Sequence, residues 1–417
     1  MRSLEGRGRR PVMLVAALQR RHKPDYMLVV LATILVVLGL VVVYAISPGL
    51  SAQHDVSENY FVSKQVVAIL IGVGAFVATA NIPISRWKHL LRPLLMVAAA
   101  ATAIALVTPV TPEYPAHRWL RFGGLSLQSV ELIKFALLLW LSYFLAERIK
   151  QGNLDNYQAT FKPLLIILGV VAFVVAVAQK DLGSTGVLVA MTVVMAFVAG
   201  LPMKRVLSVA AIIAVGTFLL ISTSGYRRER VLTFLNPERD CQDAGYQACQ
   251  ALIAVGSGGI KGKGLAHSVQ AYGYLPESAN DSIFAIFAEK FGFIGSTILV
   301  GLFMAFFARV KNIMERAPDM VTRLVLAGIL AWLSTQALIN IGAMVGLLPL
   351  KGITLPFISY GGTSLIFVLA AVGVVFNISR YTTYGANNID QQGKRNDNSA
   401  DRRGNRRPHY AHISRRP

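Results

Sequence analysis

Runs of about 20 apolar residues recur along most of this chain of 417 residues. At a rise of about 1.5 Å per residue, a helix of that length crosses the hydrocarbon core of a bilayer, which is about 30 Å thick. Only 15% of the residues are charged, against about 25% in a soluble protein, so a soluble enzyme is disfavoured. The runs predict ten spans, over residues 27–47, 63–82, 90–110, 129–147, 163–179, 183–202, 205–224, 282–308, 321–348 and 356–379. We therefore expect an all-α polytopic membrane protein.

Basic residues before the first span and after the last account for much of the net charge of +20. Because cytoplasmic loops carry an excess of Lys and Arg, both termini are predicted to be cytoplasmic. This topology gives a basic N-terminal tail over 1–26, a ten-span domain over 27–380 and an extracytoplasmic loop over 225–281 between spans 7 and 8. Residues 381–417 contain almost no aliphatic side chains and are expected to form a disordered basic tail near anionic membrane lipids. No nucleic-acid partner is expected, because no DNA- or RNA-binding motif accompanies the charge.

The segment that leads into span 4 carries charges at membrane depth. A charge at the centre of a span costs about 2.5–3.5 kcal/mol on insertion scales, so each one needs a physical reason. Glu131 and Lys134 are three residues apart and therefore share one helical face, where they can pair. Two interpretations stay open. The pair is purely structural, or it binds an anionic headgroup together with the basic, aromatic loop that contains Arg118 and Arg121.

The long loop contains a glycine-rich stretch over residues 256–264, which includes Lys261 and Lys263. Glycines let a backbone approach a phosphate closely, and the lysines add positive charge, but a flexible hinge explains the glycines equally well. Cys241 and Cys249 also lie in this loop, where a disulfide can persist; whether they are bridged stays open. The seven histidines show no metal-ligand spacing, so no metal site built by the protein alone is expected.

The end of the long loop brings two carboxylates to the mouth of span 8. Glu277 and Asp281 are four residues apart and share a helical face if the helix begins early. A carboxylate at this depth is partly desolvated, which makes it a better proton acceptor near neutral pH. Asp281 can instead serve as the N-cap of the helix.

Residues 349–364 contain two prolines and three glycines at membrane depth. Such a segment predicts a broken or re-entrant backbone, which is tolerated only where it lines a cavity or is buried in protein. Gln336 and Asn340, four residues apart in span 9, either serve that cavity or form hydrogen bonds between helices.

Several segments, in the same order along the chain, resemble the SEDS family of shape, elongation, division and sporulation proteins. They are Arg118–Trp119 and residues 128–134, 179–183, 245–247, 256–259, 274–281 and 351–364. The resemblance implies a ten-span fold and a peptidoglycan glycosyltransferase that polymerises lipid II at the outer face of the bacterial cytoplasmic membrane. It also implies a complex with a class B penicillin-binding protein, which supplies the transpeptidase. Residues 268–270, shortly before Tyr274, resemble the division branch more than the elongation branch, which implies a position at the septum and contacts with other divisome proteins.

The resemblance also implies roles for individual residues. Asp281 corresponds to the essential carboxylate, and we predict that it takes the proton from the acceptor hydroxyl. The candidate substrate- and pyrophosphate-binding residues are Lys351, Lys134, Glu131, Arg118 and Arg121, with support from Glu277, Asp181, Lys263, Ser359 and Tyr360. A divalent cation, Mg²⁺ or Mn²⁺, can share the stabilisation of the pyrophosphate; no other cofactor is expected.

The chain departs from the usual family pattern at three places. Lys180 replaces the proline of Gln-Pro-Asp-Leu-Gly, residues 128–131 lack the proline of Gln-Pro-Ser-Glu, and residues 280–282 stand in place of the common His-Thr-Asp-Phe. These changes keep the acidic and basic side chains but alter the local backbone. Three other functions stay open: a flippase for lipid-linked peptidoglycan precursors, an elongation-type polymerase, and a non-catalytic scaffold of the division machinery.

Overall fold

The computed structural model describes residues 23–109, 117–122, 125–222, 225–236, 241–243 and 245–382. Its helices are α1 (Tyr26–His54), α2 (Tyr60–Asn81), α3 (Ile84–Val107), α4 (Ser129–Lys150), α5 (Tyr157–Ala178), α6 (Leu182–Val198), α7 (Met203–Ser222), α8 (Gly225–Leu235), α9 (Tyr246–Ser257), α10 (Ile283–Glu315), α11 (Met320–Met344) and α12 (Gly362–Ser379). Two short strands, β1 (Trp119–Phe122) and β2 (Leu125–Gln128), pair antiparallel. Most of both predicted tails, residues 1–22 and 383–417, lies outside the described residues.

Within the described ranges, eight helices are long and apolar enough to cross a membrane, namely α1 to α5 and α10 to α12. Helix α6 is apolar but shorter, and α7 coincides with predicted span 7. Spans 5 and 6 are separated only by residues 179–181, as the sequence predicts. The expected mostly helical, polytopic membrane architecture is therefore confirmed. The count of ten spans and the side on which the termini lie remain predictions.

Two parts of the sequence prediction are wrong. Predicted spans 9 and 10 extended into residues 345–361, which are not helical: α11 ends at Met344 and α12 begins at Gly362. Pro349 and Pro356 have no backbone N–H to continue a helix, and Gly346 has a φ of 76°. The all-α prediction also omitted the β1–β2 hairpin, whose strands have only 4 residues each and are too short for a clear alternating pattern.

Burial separates the central helices from those at the periphery of the bundle. In the most apolar window of each helix, 83% of α12 and 78% of α4 are buried, against 22% of α2 and of α3. Helix α12 packs mainly on α2, while α11 packs mainly on α6 and α10. The buried polar side chains of α4 and α11 consequently face protein, where they can find partners.

The non-helical segment 345–361 passes close to α1 at Gly39. A Cβ atom on Gly39 would lie 2.7 Å from Ile358 Cα and 2.7 Å from the Phe357 carbonyl oxygen. Phe357 itself has a φ of 67°, in the left-handed region that costs a residue with a side chain about 1–2 kcal/mol. Packing against α1 therefore helps to hold this segment in a strained conformation.

We expect Gly39→Ala to lower the midpoint of thermal unfolding, because overpacking a close contact costs about 1–3 kcal/mol. Gly74→Ala in α2 is the matched control, since no atom lies within 4 Å of the Cβ it would add. That control should leave the midpoint unchanged or raise it, because alanine favours a helix over glycine by about 1 kcal/mol. Thermal unfolding in detergent measures both variants. Equal midpoints would show that the segment does not pack tightly on α1 at this point.

The described residues between α7 and α10 include two shorter α-helices, α8 and α9, and a 3-10 helix over Gln270–Tyr272. Cys249, in α9, forms a disulfide with Cys241, so the structure decides a question that the sequence leaves open. Disulfides persist in oxidising compartments, which favours the predicted extracytoplasmic position of this stretch.

Candidate active site

The site predicted from the sequence lies at one end of the bundle, where α4, α6, α10 and α12 begin. The last turns of α11 and the non-helical segment 345–361 reach the same end. Side chains that are far apart in the sequence therefore come together here. Contacts among these elements hold the backbone on both sides of Asp281.

The stretch that precedes α10 is a turn rather than the first turn of the helix. Helix α10 begins at Ile283 with Ser282 as its N-cap residue, so Asp281 is not the N-cap. Glu277 has a φ of 52° and accepts a hydrogen bond from Asn280 Nδ2. The expectation that Glu277 and Asp281 share a helical face is consequently wrong, because the helix begins too late.

Three successive backbone carbonyls of this turn are held by other parts of the chain. The Ala279 carbonyl accepts from Tyr360 N at 2.8 Å, and the Asn280 carbonyl accepts from Ser359 Oγ at 2.6 Å. The Asp281 carbonyl accepts from Asn340 Nδ2 at 2.7 Å. The structure thus brings the predicted supporting residues Ser359 and Tyr360 to Asp281, where they fix its backbone. Asn340 also donates to the Ile353 carbonyl at 2.7 Å, which ties the turn to the non-helical segment.

The carboxylate of Asp281 and the guanidinium of Arg118 converge on Gly352. A Cβ atom on Gly352 would lie 3.7 Å from Asp281 Oδ2 and 4.0 Å from Arg118 Nη2. Arg118 Nη1 also lies 3.4 Å from Asp181 Oδ2, and the Asp181 side chain is only 4% exposed. Lys351 Cβ would lie 3.3 Å from a Cβ atom on Gly183, two residues after Asp181. Positive and negative side chains therefore meet around Gly352.

The structure also forms the predicted ion pair of α4. Lys134 Nζ lies 2.7 Å from Glu131 Oε1, and neither side chain is more than 4% exposed. Lys134 also donates to Gln336 Oε1 at 3.2 Å and lies 5.1 Å from the centre of the Trp332 ring. Gln336 Nε2 donates in turn to the Thr354 carbonyl at 3.0 Å. Hydrogen bonds through Gln336 thus connect the ion pair to the non-helical segment that carries Lys351 and Gly352.

Three buried polar atoms of the site, Arg118 Nε, Glu131 Oε2 and Asn340 Oδ1, have no hydrogen-bond partner among the described residues. Buried polar groups are normally satisfied, so such atoms need a ligand or water. Arg121, in contrast, is exposed and donates to the Pro109 carbonyl at 2.6 Å.

The backbone at Lys180 explains one departure from the family pattern. Lys180 has a φ of 55°, whereas a proline ring holds φ near −65°. A proline here would not fit this backbone. Even so, Asp181 caps α6: its carboxylate accepts from Ser184 N at 2.9 Å and from Ser184 Oγ at 2.8 Å. The acidic side chain is therefore held without the proline.

The glycine-rich stretch completes hydrogen bonds that a break in α10 interrupts. At Gly292 the backbone is not helical, with a φ of 65°. Phe293 N donates to the Gly259 carbonyl at 2.8 Å, and Ile294 N donates to the Ile260 carbonyl at 3.1 Å. In a regular helix these two amides would donate to the carbonyls of Glu289 and Lys290. Here the Glu289 carbonyl accepts from Lys263 N at 2.9 Å instead, and the Lys290 carbonyl accepts from Gly264 N at 2.9 Å.

This arrangement requires two backbones to touch, which explains the glycines. A Cβ atom on Gly258 would overlap the Ala288 carbonyl oxygen, and one on Gly262 would overlap that of Lys290. Neither the hinge nor the phosphate-binding interpretation anticipated this packing role.

The side chain of Glu289 joins the same loop to α10. It is fully buried and accepts from Lys263 Nζ at 3.0 Å, from Val269 N at 3.0 Å and from Ser268 Oγ. The predicted supporting residue Lys263 is thus paired with Glu289. Glu289 was not among the predicted site residues, although a carboxylate inside an apolar span was itself a signal.

We expect Glu289→Ala to loosen the loop, because it removes an acceptor that several donors share and leaves Lys263 without its partner. Each hydrogen bond to a charged group contributes about 1.5–3 kcal/mol, so amide exchange over residues 263–271 should become at least tenfold faster, roughly. Glu315→Ala, at the exposed end of the same helix, is the control. Hydrogen exchange read by mass spectrometry measures both. If the two variants exchange at the same rate, Glu289 does not hold the loop.

Comparison with known proteins places the chain in a family. The sequence profile of the FtsW, RodA and SpoVE group, described as cell cycle protein, matches residues 25–384. Stage V sporulation protein E of Bacillus subtilis (strain 168) is 37% identical over 369 residues, which cover 88% of this chain and 99% of that protein. A probable peptidoglycan glycosyltransferase FtsW from Geobacter sp. (strain M18) is 34% identical over 356 residues, covering 85% of this chain and 96% of that protein.

Solved structures agree with the sequence comparison. A chain of a peptidoglycan synthase complex, described as coordinating polymerization and crosslinking, has a TM-score of 0.69 and 28% identity, covering 86% of this chain and 98% of that one. The rod shape determining protein RodA of Thermus thermophilus has a TM-score of 0.60 and 26% identity, covering 87% of this chain and 98% of that one. The match of the profile to most of the chain, together with these relatives, shows that the chain belongs to the FtsW/RodA/SpoVE family of cell cycle proteins.

Proposed function

We propose that this protein is a peptidoglycan glycosyltransferase that polymerises lipid II into glycan strands. The observation that carries the proposal is the convergence of the Asp281 carboxylate and the Arg118 guanidinium on Gly352. A transfer from a lipid pyrophosphate needs a base on the acceptor and positive charge on the leaving group, and this site supplies both. Relatives named as peptidoglycan glycosyltransferases support the same reaction.

The reaction assigns a role to each charged side chain. The 4-hydroxyl of the acceptor sugar attacks the anomeric carbon of the donor, and its proton passes to Asp281. The bond between that carbon and the pyrophosphate oxygen breaks, and the polyprenyl pyrophosphate leaves with the bonding electrons. Arg118, Lys351 and Lys134 stabilise this anion by charge. One displacement inverts an α-linked donor to a β-linked product.

A divalent cation would need ligands beyond those of the protein. The described part of the chain contains no group of three or more His, Cys, Asp or Glu residues able to hold a metal ion. Mg²⁺ is commonly held by one or two carboxylates together with substrate phosphates. Asp281 and Asp181, with the pyrophosphate of the substrate, would form such a set.

The number of membrane spans and the sides on which the termini and the site lie are part of the same proposal. The eight candidate spans together with α6 and α7 would make ten, with both termini in the cytoplasm and the site at the outer face. A class B penicillin-binding protein is the proposed partner, supported by the match to a peptidoglycan synthase complex. We propose the division septum as the location, with other divisome proteins as neighbours, because relatives named FtsW recur among the matches.

The test is polymerisation in detergent micelles, which have no two sides. We expect the purified chain, with a partner whose transpeptidase has been inactivated, to convert labelled lipid II into glycan chains that are resolved by electrophoresis. A flippase or a scaffold would form none under these conditions. No polymer from the folded complex would overturn the proposal and favour those functions.

A further inference from the structure

The end of the bundle opposite the candidate active site contains a small polar cavity. It lies where α1 begins and where α10 and α12 end, and its volume is about 160 Å³. The side chains that line it include Lys23, Asp25, Arg309, Asn312, Arg316 and Thr382. Arg309 lies 28 residues after Asp281, which corresponds to about 40 Å along α10. The cavity is therefore separate from the site described above.

The charge of the cavity favours an anion. Three cationic side chains, Lys23, Arg309 and Arg316, surround one carboxylate, that of Asp25. Asp25 Oδ2 accepts from Arg309 Nε at 2.6 Å, and Asp25 N donates to Ser379 Oγ at 3.0 Å. A guanidinium has five N–H donors, so its pairing with Asp25 does not exhaust its capacity for a second anion. The pair also fixes Arg309 at the wall of the cavity.

The position of the cavity favours a lipid over a soluble anion. Tyr26 and Met27, which also line the cavity, are 62% and 51% exposed, so the cavity borders an apolar surface on the outside of the bundle at the start of α1. An acyl chain could lie on that surface while its headgroup enters the cavity. Basic pockets between the cytoplasmic ends of membrane helices bind anionic lipid headgroups. The chain's own residues 383–417 are rich in arginine and do not complement a basic cavity.

We propose that this cavity binds the phosphate of an anionic phospholipid headgroup, with Lys23, Arg309 and Arg316 as its cationic ligands. The inference goes beyond the proposed glycosyl transfer and does not depend on it. It rests on the proposed topology only in placing the lipid in the cytoplasmic leaflet.

The test is lipid retention by the full chain in native mass spectrometry, after exposure to phosphatidylglycerol or to phosphatidylcholine with the same acyl chains. We expect phosphatidylglycerol to be retained and phosphatidylcholine to be lost. Each cation near a lipid surface strengthens binding about fivefold, so Lys23→Gln/Arg316→Gln should weaken retention by about 25-fold. Arg323→Gln is the matched control, because Arg323 is an exposed cation near the same end that does not line the cavity.

Asp25→Asn provides a change in the opposite direction. Asparagine keeps the oxygen that accepts from Leu28 N at the start of α1 but removes the competing negative charge. We expect this variant to retain phosphatidylglycerol more strongly than the parent, about fivefold for one charge. Thermal unfolding confirms that each variant is folded.

Three results would overturn the proposal. Equal retention of the two lipids by the parent would show that binding does not depend on the charge of the headgroup. Equal effects of the double variant and of Arg323→Gln would show that the cavity is not the site. Displacement of the lipid by millimolar inorganic phosphate, with loss of that competition in the double variant, would assign the cavity to a soluble anion.

Discussion

Replacement of Lys134 by methionine is expected to lower the free energy of unfolding by about 3–5 kcal/mol, the usual cost of removing one partner of a buried ion pair. Glu131 would keep its charge in a place that is only 4% exposed and would lose the ammonium group 2.7 Å away. Methionine is similar in length to lysine, so little of the loss would come from a cavity. Unfolding in detergent measures the effect. Lys150→Met, at the exposed end of the same helix, should change it little.

The double variant Glu131→Gln/Lys134→Met separates the two interpretations of this pair. Removing both charges together removes the cost of an unpaired buried charge, so most of the stability should return. A purely structural pair would then allow polymerisation to return as well. We expect activity to stay low, because Lys134 is connected through Gln336 to the segment that carries Lys351. A double variant as unstable as Lys134→Met would contradict this account of the pair, and a fully active one would make its role structural.

The features that the sequence predicted well are local. Runs of about 20 apolar residues are long enough to identify helices without knowledge of their neighbours. The pairing of Glu131 with Lys134 follows from a spacing of three residues on one helix and is confirmed at 2.7 Å. The broken backbone around Pro349 and Pro356 was likewise visible from residue types alone.

The features that the sequence did not reveal depend on contacts between distant segments. No spacing indicates that Ser359, Tyr360 and Asn340 hold the carbonyls of residues 279–281. The exchange of backbone hydrogen bonds between the glycine-rich stretch and α10 also joins segments about 30 residues apart, and a local pattern cannot specify it. Ser359 and Tyr360 contact the turn that carries Asp281, whereas Lys263 pairs with Glu289, which the sequence did not single out.

The geometry around Asp281 leads to the largest expected effect on activity. Asp281→Asn should reduce the rate of polymerisation by at least 100-fold, roughly, because an amide does not accept the proton of the attacking hydroxyl. The side chain keeps its size, and the backbone carbonyl of residue 281 still accepts from Asn340. The variant is therefore expected to remain folded. Asp55→Asn is the matched control: it is the same change at an exposed position outside the site, where asparagine tolerates the φ of 51°.

The most direct measurement compares the parent, Asp281→Asn and Asp55→Asn for glycan chains formed from labelled lipid II, each with the transpeptidase of the partner inactivated. We predict polymer from the parent and from Asp55→Asn. We predict none above background from Asp281→Asn, although that variant should unfold at the same temperature as the parent. Polymer from Asp281→Asn at the parental rate would contradict the assignment of Asp281 as the base.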